Sequence, residues 1–161
     1  MYKTFITIIS NNFDSKEYQK IKDFFDSKGF NIEGDFPGTN WNPPYQYIEE
    51  MGPNLETRII FFNGNKNKEQ IILLNKYSQD LEKKDMVNNK RVFNINPGFL
   101  SENGMYLLSH KPNEARGRLP FGVYFIEKQY DKDDDSFMIN HNTFSEYIEI
   151  IDLFNNYKEC A

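Results

Sequence analysis

Residues 2–9, Tyr-Lys-Thr-Phe-Ile-Thr-Ile-Ile, decide the fold class together with the helix-patterned segment after them. The stretch alternates and is rich in β-branched and aromatic residues, the pattern of a strand. Then comes Asp14-Ser-Lys-Glu-Tyr-Gln-Lys-Ile-Lys-Asp-Phe-Phe25. Asp14 and Glu17 have capping-box spacing, and Tyr18, Ile21, Phe24 and Phe25 recur at helical spacing. Gly29 predicts the helix end, because glycine readily adopts the left-handed conformation of a C-cap. Phe30, Ile32 and Phe36 then mark a second strand. Strand, helix and strand within 36 residues predict a mixed α and β domain.

Working outward, residues 37–46 (Pro-Gly-Thr-Asn-Trp-Asn-Pro-Pro-Tyr-Gln) read as irregular loop and carry the sole tryptophan, Trp41. Leu55 to Phe62 predicts a third strand and Asn63-Gly64 a turn. Asn67 and Gln70 predict the start of a second helix, buried through Ile71, Leu74, Tyr77 or Ser78, and Leu81. Arg91 to Ile95 predicts a fourth strand that stops at Pro97-Gly98. Met105 to Ser109 and Gly122 to Tyr130 predict two more, with an acidic turn at 131–135. Thr143 and Glu146 predict the cap of a last helix, whose apolar face is Phe144, Tyr147, Ile148, Ile151 and Phe154. Residues 37–53 and 111–120 are expected to be internal loops. The order predicts an α+β fold: a ferredoxin-like βαββαβ core with a largely antiparallel sheet, extended by a C-terminal hairpin and helix. One domain over residues 1–161 is expected.

Composition narrows the function. The chain has 161 residues, 24 acidic against 19 basic, and a formal net charge of −5. No apolar run reaches the ~18 residues of a membrane span. An acidic chain without a basic block predicts no nucleic-acid polymer as partner. The apolar start is followed at once by Ser10, Asn11 and Asn12, unlike a secretory signal. Cys160 is the single cysteine, so no disulfide can form within the chain, and the expected location is the cytoplasm. There is no G-x-x-x-x-G-K-[ST] phosphate loop, no G-x-G-x-x-G, no H-E-x-x-H and no G-x-S-x-G. His110 and His141 are isolated. Asp131-Lys-Asp-Asp-Asp lacks the glycine and distal glutamate of a calcium loop, and no metal site is expected.

Three segments carry a family resemblance: Tyr47-Ile-Glu-Glu-Met-Gly-Pro-Asn-Leu-Glu-Thr-Arg58; Arg91-Val-Phe-Asn-Ile-Asn-Pro-Gly-Phe-Leu100; and Leu107-Leu-Ser-His-Lys111 with Arg116 and Phe121-Gly-Val-Tyr124. They resemble the bacterial domain-of-unknown-function family numbered 4416, over roughly residues 1–130. The chain departs from the family pattern at Asn96, where the family has Asp, and it lacks the family's Trp-Thr-Tyr-Pro-Asp-Tyr ending. An amide at 96 can hydrogen-bond but can neither take a proton nor supply charge. Some members are labelled GTP-binding. The missing phosphate loop gives no support for that, and Asn75-Lys76-Tyr77-Ser78 lacks the aspartate of a guanine-reading Asn-Lys-x-Asp.

The four arginines are the chemical signal. All lie between residues 58 and 118, in a chain where 15 lysines outnumber them. Arg58, Arg91, Lys111 and Arg116 could converge as an anion site for phosphate or carboxylate, nucleotides included. The structural alternative pairs Arg58 with Glu50 and Arg91 with Glu127. Asn94 and Asn96 share one strand face, either toward a ligand or as turn chemistry. Tyr47, with Tyr45 and Trp41, lids a pocket or covers the core. Glu50 and Glu127 could serve as acid and base or hold Mg²⁺, and His110 could act as a general base. Three readings stay open. A small anionic ligand leads, a protein-interaction or homodimerisation module comes second, and an enzyme comes last, with no cofactor identified.

Overall fold

The structure is a computed structural model that describes residues 2–38, 45–101, 104–109, 117–118, 124–128, 130–131 and 136–137. The elements in chain order are β1 (Tyr2–Ser10), α1 (Lys16–Ser27), β2 (Ile32–Pro37), α2 (Tyr45–Met51), β3 (Glu56–Lys66), α3 (Lys68–Lys84) and β4 (Asn94–Ser101). They continue with β5 (Gly104–Ser109), β6 (Gly117–Arg118), β7 (Tyr124–Lys128), β8 (Tyr130–Asp131) and β9 (Ser136–Phe137). The class is α+β. Among the described residues the main sheet runs β2-β3-β1-β4-β5-β7-β6, with every pair antiparallel, and β8 pairs with β9. The last helix expected at 143–154, the acidic turn at 132–135, and Trp41, His110, His141 and Cys160 lie outside the described residues.

Period two sorts β1 between two faces. Ile6 and Ile8 join Ile60 and Phe62 of β3 and Ile95 of β4 in one buried cluster with Tyr18, Ile21 and Phe25 of α1 and Leu74 and Leu81 of α3. Both helices therefore cover the same face. The alternate residues Phe5, Ile9, Ile59 and Phe61 are buried as well, so the sheet has two dry faces. Burying a large apolar side chain contributes roughly 1.5–3 kcal/mol, which makes this double-sided sheet the main source of stability. Among the described residues no helix is long and apolar enough to cross a membrane.

The helix ends follow local chemistry. Ser15, not Asp14, caps α1: its hydroxyl accepts from the Tyr18 N–H, and its own φ of −87° and ψ of 160° are extended. Gly29 has φ +85°, the Phe30 N–H reaches the Phe25 carbonyl and the Gly29 N–H reaches that of Asp26. That paired closure is why the chain turns sharply into β2. Asn67 and Gln70 form the expected capping box on α3.

Three expectations are corrected. Asn63-Gly64 is no turn: β3 continues to Lys66, and the β1–β3 register slips between Phe5↔Phe61 and Lys3↔Asn65. Two extra residues on β3 form a bulge, and Gly64 supplies its positive φ of +72°. Pro97-Gly98 does not end β4, which runs on to Ser101 between β1 and β5. A Cβ at Gly98 would lie 2.4 Å from the Phe5 ring and 2.7 Å from the Tyr106 carbonyl oxygen, so the glycine makes room for packing. Finally, residues 45–51 within the expected loop 37–53 are helical.

Candidate functional site

A cavity of about 350 Å³ opens where α1 begins beside the β2 edge of the sheet. Tyr18 and Lys22 are four residues apart on α1 and so share a helix face. In the β2–β3 register Asp35 lies opposite Ile60 and Pro37 opposite Arg58. Asp35 and Arg58 are therefore diagonal neighbours on one sheet face. Phe13, Asp14, Ser15 and Gln19 complete the lining.

Asp35 is the hub. Arg58 Nε donates to its Oδ1 at 3.0 Å, and Nη2 stands 2.9 Å from the same oxygen. The Tyr18 hydroxyl donates to Oδ2 at 3.0 Å and Lys22 Nζ donates there at 3.3 Å. Lys22 Nζ also sits 4.9 Å from the Tyr18 ring centroid. Burial, then the charge of Asp35 and its hydrogen bond, push the Tyr18 hydroxyl above its ordinary range, against an opposing effect of Arg58. Tyr18 thus stays a donor at neutral pH rather than a base. Burial works against the Arg58 charge, but its hydrogen bond to Asp35 and that carboxylate's charge hold it above its usual value. Two cations face one carboxylate in this hub. An ammonium has three donors and a guanidinium five, so both cations keep donors beyond those that Asp35 accepts.

The remaining expected site residues do not converge with Arg58 among the described residues. Arg91 closes instead on Glu50, with Nε at 2.6 Å from Oε1 and Nη2 at 3.0 Å from Oε2, while its backbone N–H donates to Oε1 at 3.1 Å. Arg91 Nη1 lies 3.7 Å from Glu82, and the guanidinium lies 6.0 Å from the Tyr47 ring centroid. The Glu50 hydrogen bond, against the effect of burial and together with the charges of Glu82 and Glu50, raises the Arg91 pKa. This fork fastens α2 to the chain entering β4 and to α3. The expected structural partners are thereby corrected: Arg58 pairs with Asp35, not Glu50, and Arg91 with Glu50 and Glu82. A carboxylate carrying that fork is committed to structure, which leaves Glu50 poorly placed for acid–base work.

Asn94 and Asn96 lie opposite Ile9 and Thr7 of β1, on the sheet face away from α1 and α3. Asn94 is 2% exposed, and among the described residues neither its Oδ1 nor Thr7 Oγ1 has a hydrogen-bond partner. Glu127 lies in β7 with its backbone opposite Tyr106. Lys111, Arg116 and His110 lie outside the described residues. No group of three or more potential metal ligands occurs among the described residues.

Of the residues that line this cavity, the sequence singles out Arg58 but not Asp35 or Lys22, and it marks Tyr18 only as part of an apolar stripe. One signal was present. An aspartate inside a strand runs against β propensity and calls for a partner.

A family model described as a domain of unknown function (DUF4416) matches residues 1–160. No curated protein and no solved structure matches the chain.

Proposed function

The chain belongs to the DUF4416 family, and from that premise we propose that it is a ligand-binding domain that takes a small anionic molecule, bearing carboxylate or phosphate, in the cavity lined by Lys22 and Arg58. The observation that carries this reading is that Lys22 and Arg58 are both held by one carboxylate, Asp35, at the wall of a 350 Å³ cavity and keep donors to spare. That volume is at the small end of ligand pockets and suits a metabolite rather than a polymer. Asp35 holds both cations in place, so little side-chain entropy remains to be lost on binding. The raised Tyr18 pKa favours binding over proton transfer.

The order β2-β3-β1-β4, with α1 and α3 as crossovers on one face, supports reading the core as ferredoxin-like, here with α2 inserted before β3. The single cysteine favours the cytoplasm. Homodimerisation has a narrower footing, in Ile72 and Leu73 on α3, which are 37% and 39% exposed.

Isothermal titration with acetate and with orthophosphate tests the binding reading. Lys22→Met and Arg58→Met should each weaken binding by roughly ten- to hundredfold, the loss of one charge-assisted hydrogen bond. Undiminished affinity in both folded variants, or no binding by the wild type, overturns it.

A further inference from the structure

We propose that the ligand of this cavity is a small zwitterion of the α-amino-acid type rather than a bare anion, an inference that rests on the binding reading above. Charge balance is the reason. The cavity walls carry Lys22 and Arg58 against Asp35 and Asp14, two charges of each sign. A bare anion would use the spare donors of Lys22 and Arg58 and leave Asp14 unanswered, whereas a molecule with both signs can satisfy both walls.

The two carboxylates are not equivalent. Asp35 already accepts from Arg58, Tyr18 and Lys22, so its oxygens are close to saturated. Asp14 is exposed and makes no hydrogen bond or ion pair among the described residues. The helix cap is the next residue, Ser15, so Asp14 has no capping duty of its own. The arrangement divides the work. The spare donors of Arg58 and Lys22 take the ligand carboxylate. Asp14 takes its ammonium. The Phe13 ring, packed edge-on against Tyr18 at 5.0 Å, offers apolar wall to a side chain.

The test is calorimetric titration of the full chain with leucine, N-acetyl-leucine, isoamylamine and orthophosphate, each against the wild type and Asp14→Asn. Leucine should bind tightest. N-acetyl-leucine and isoamylamine, each lacking one charge, should bind roughly ten- to hundredfold more weakly. Asp14→Asn should weaken leucine by about tenfold and leave N-acetyl-leucine unchanged. Asp14 is exposed, so this variant keeps the fold. If N-acetyl-leucine or orthophosphate binds as well as leucine and Asp14→Asn changes nothing, the zwitterion proposal falls and the anion site stands. If none of the four binds, both fall.

Discussion

Asp35 gathers an arginine, a lysine and a tyrosine hydroxyl around one carboxylate, and that arrangement fixes how the site responds to pH. Burial and Asp35 raise the folded-state pKa of Tyr18, so the folded protein keeps the hydroxyl protonated where the unfolded chain loses its proton. The stability contributed by Tyr18 is full below the unfolded value of about 10 and is lost as pH rises toward the folded value. Lys3 works in the opposite sense, because burial and the neighbouring Lys66 lower its pKa. The difference between the wild type and Tyr18→Phe isolates the tyrosine. Denaturant midpoints should show the variant less stable by about 1.5–3 kcal/mol near neutrality, the range for a hydrogen bond to a charged group. The gap should close as pH passes about 10. A gap that stays constant with pH contradicts the role given to this hydroxyl. In the sequence, Tyr18 was legible only as one residue of an apolar stripe. Its second role needs Asp35, 17 residues away, and the packing of α1 against the sheet, not spacing, brings them together.

At the scale of elements, periodic signals read true, as did Gly29 and the Asn67–Gln70 capping box at helix ends, but the glycine turn signals within β3 and β4 did not. The stripe Ile71, Leu74, Ser78 and Leu81 is buried on α3, as its spacing predicts. Asn-Gly and Pro-Gly, by contrast, look identical in a turn, a bulge and a crowded strand. Gly64 serves a bulge and Gly98 a close approach of Phe5. Tertiary packing decides between these uses, and a local pattern cannot. β4 supplies the check. Gly98→Ala would force a methyl group against the Phe5 ring and the Tyr106 carbonyl. The aromatic ring can shift only by disturbing Phe61, which it packs edge-on at 6.2 Å, and the carbonyl belongs to a strand backbone. The substitution should cost about 1–3 kcal/mol, as overpacking does, and calorimetric melting would show it. An unchanged melting temperature would mean that Gly98 is not held by packing. α2 went unread for a related reason: prolines precede it, and the Glu50–Arg91 fork that anchors it spans 41 residues of sequence.

Across the whole molecule, the net charge of −5 conceals a local order. Arg58 and Arg91 both come to the end of the sheet where β1 finishes, yet each meets its own acids there. One arginine anchors an element, and the other lines a cavity. Scarcity of arginine drew attention to both, and only the fold separates their duties. The claim that binding centres on the Arg58 cavity is met most directly by amide chemical-shift mapping while leucine and acetate are titrated in. Shifts should concentrate at Phe13 to Lys22, Gly34 to Phe36 and Thr57 to Ile59, and require roughly ten- to hundredfold more ligand in Arg58→Met. Shifts centred on Glu50 and Arg91 or on Asn94 and Asn96, or no shifts at all, would contradict it.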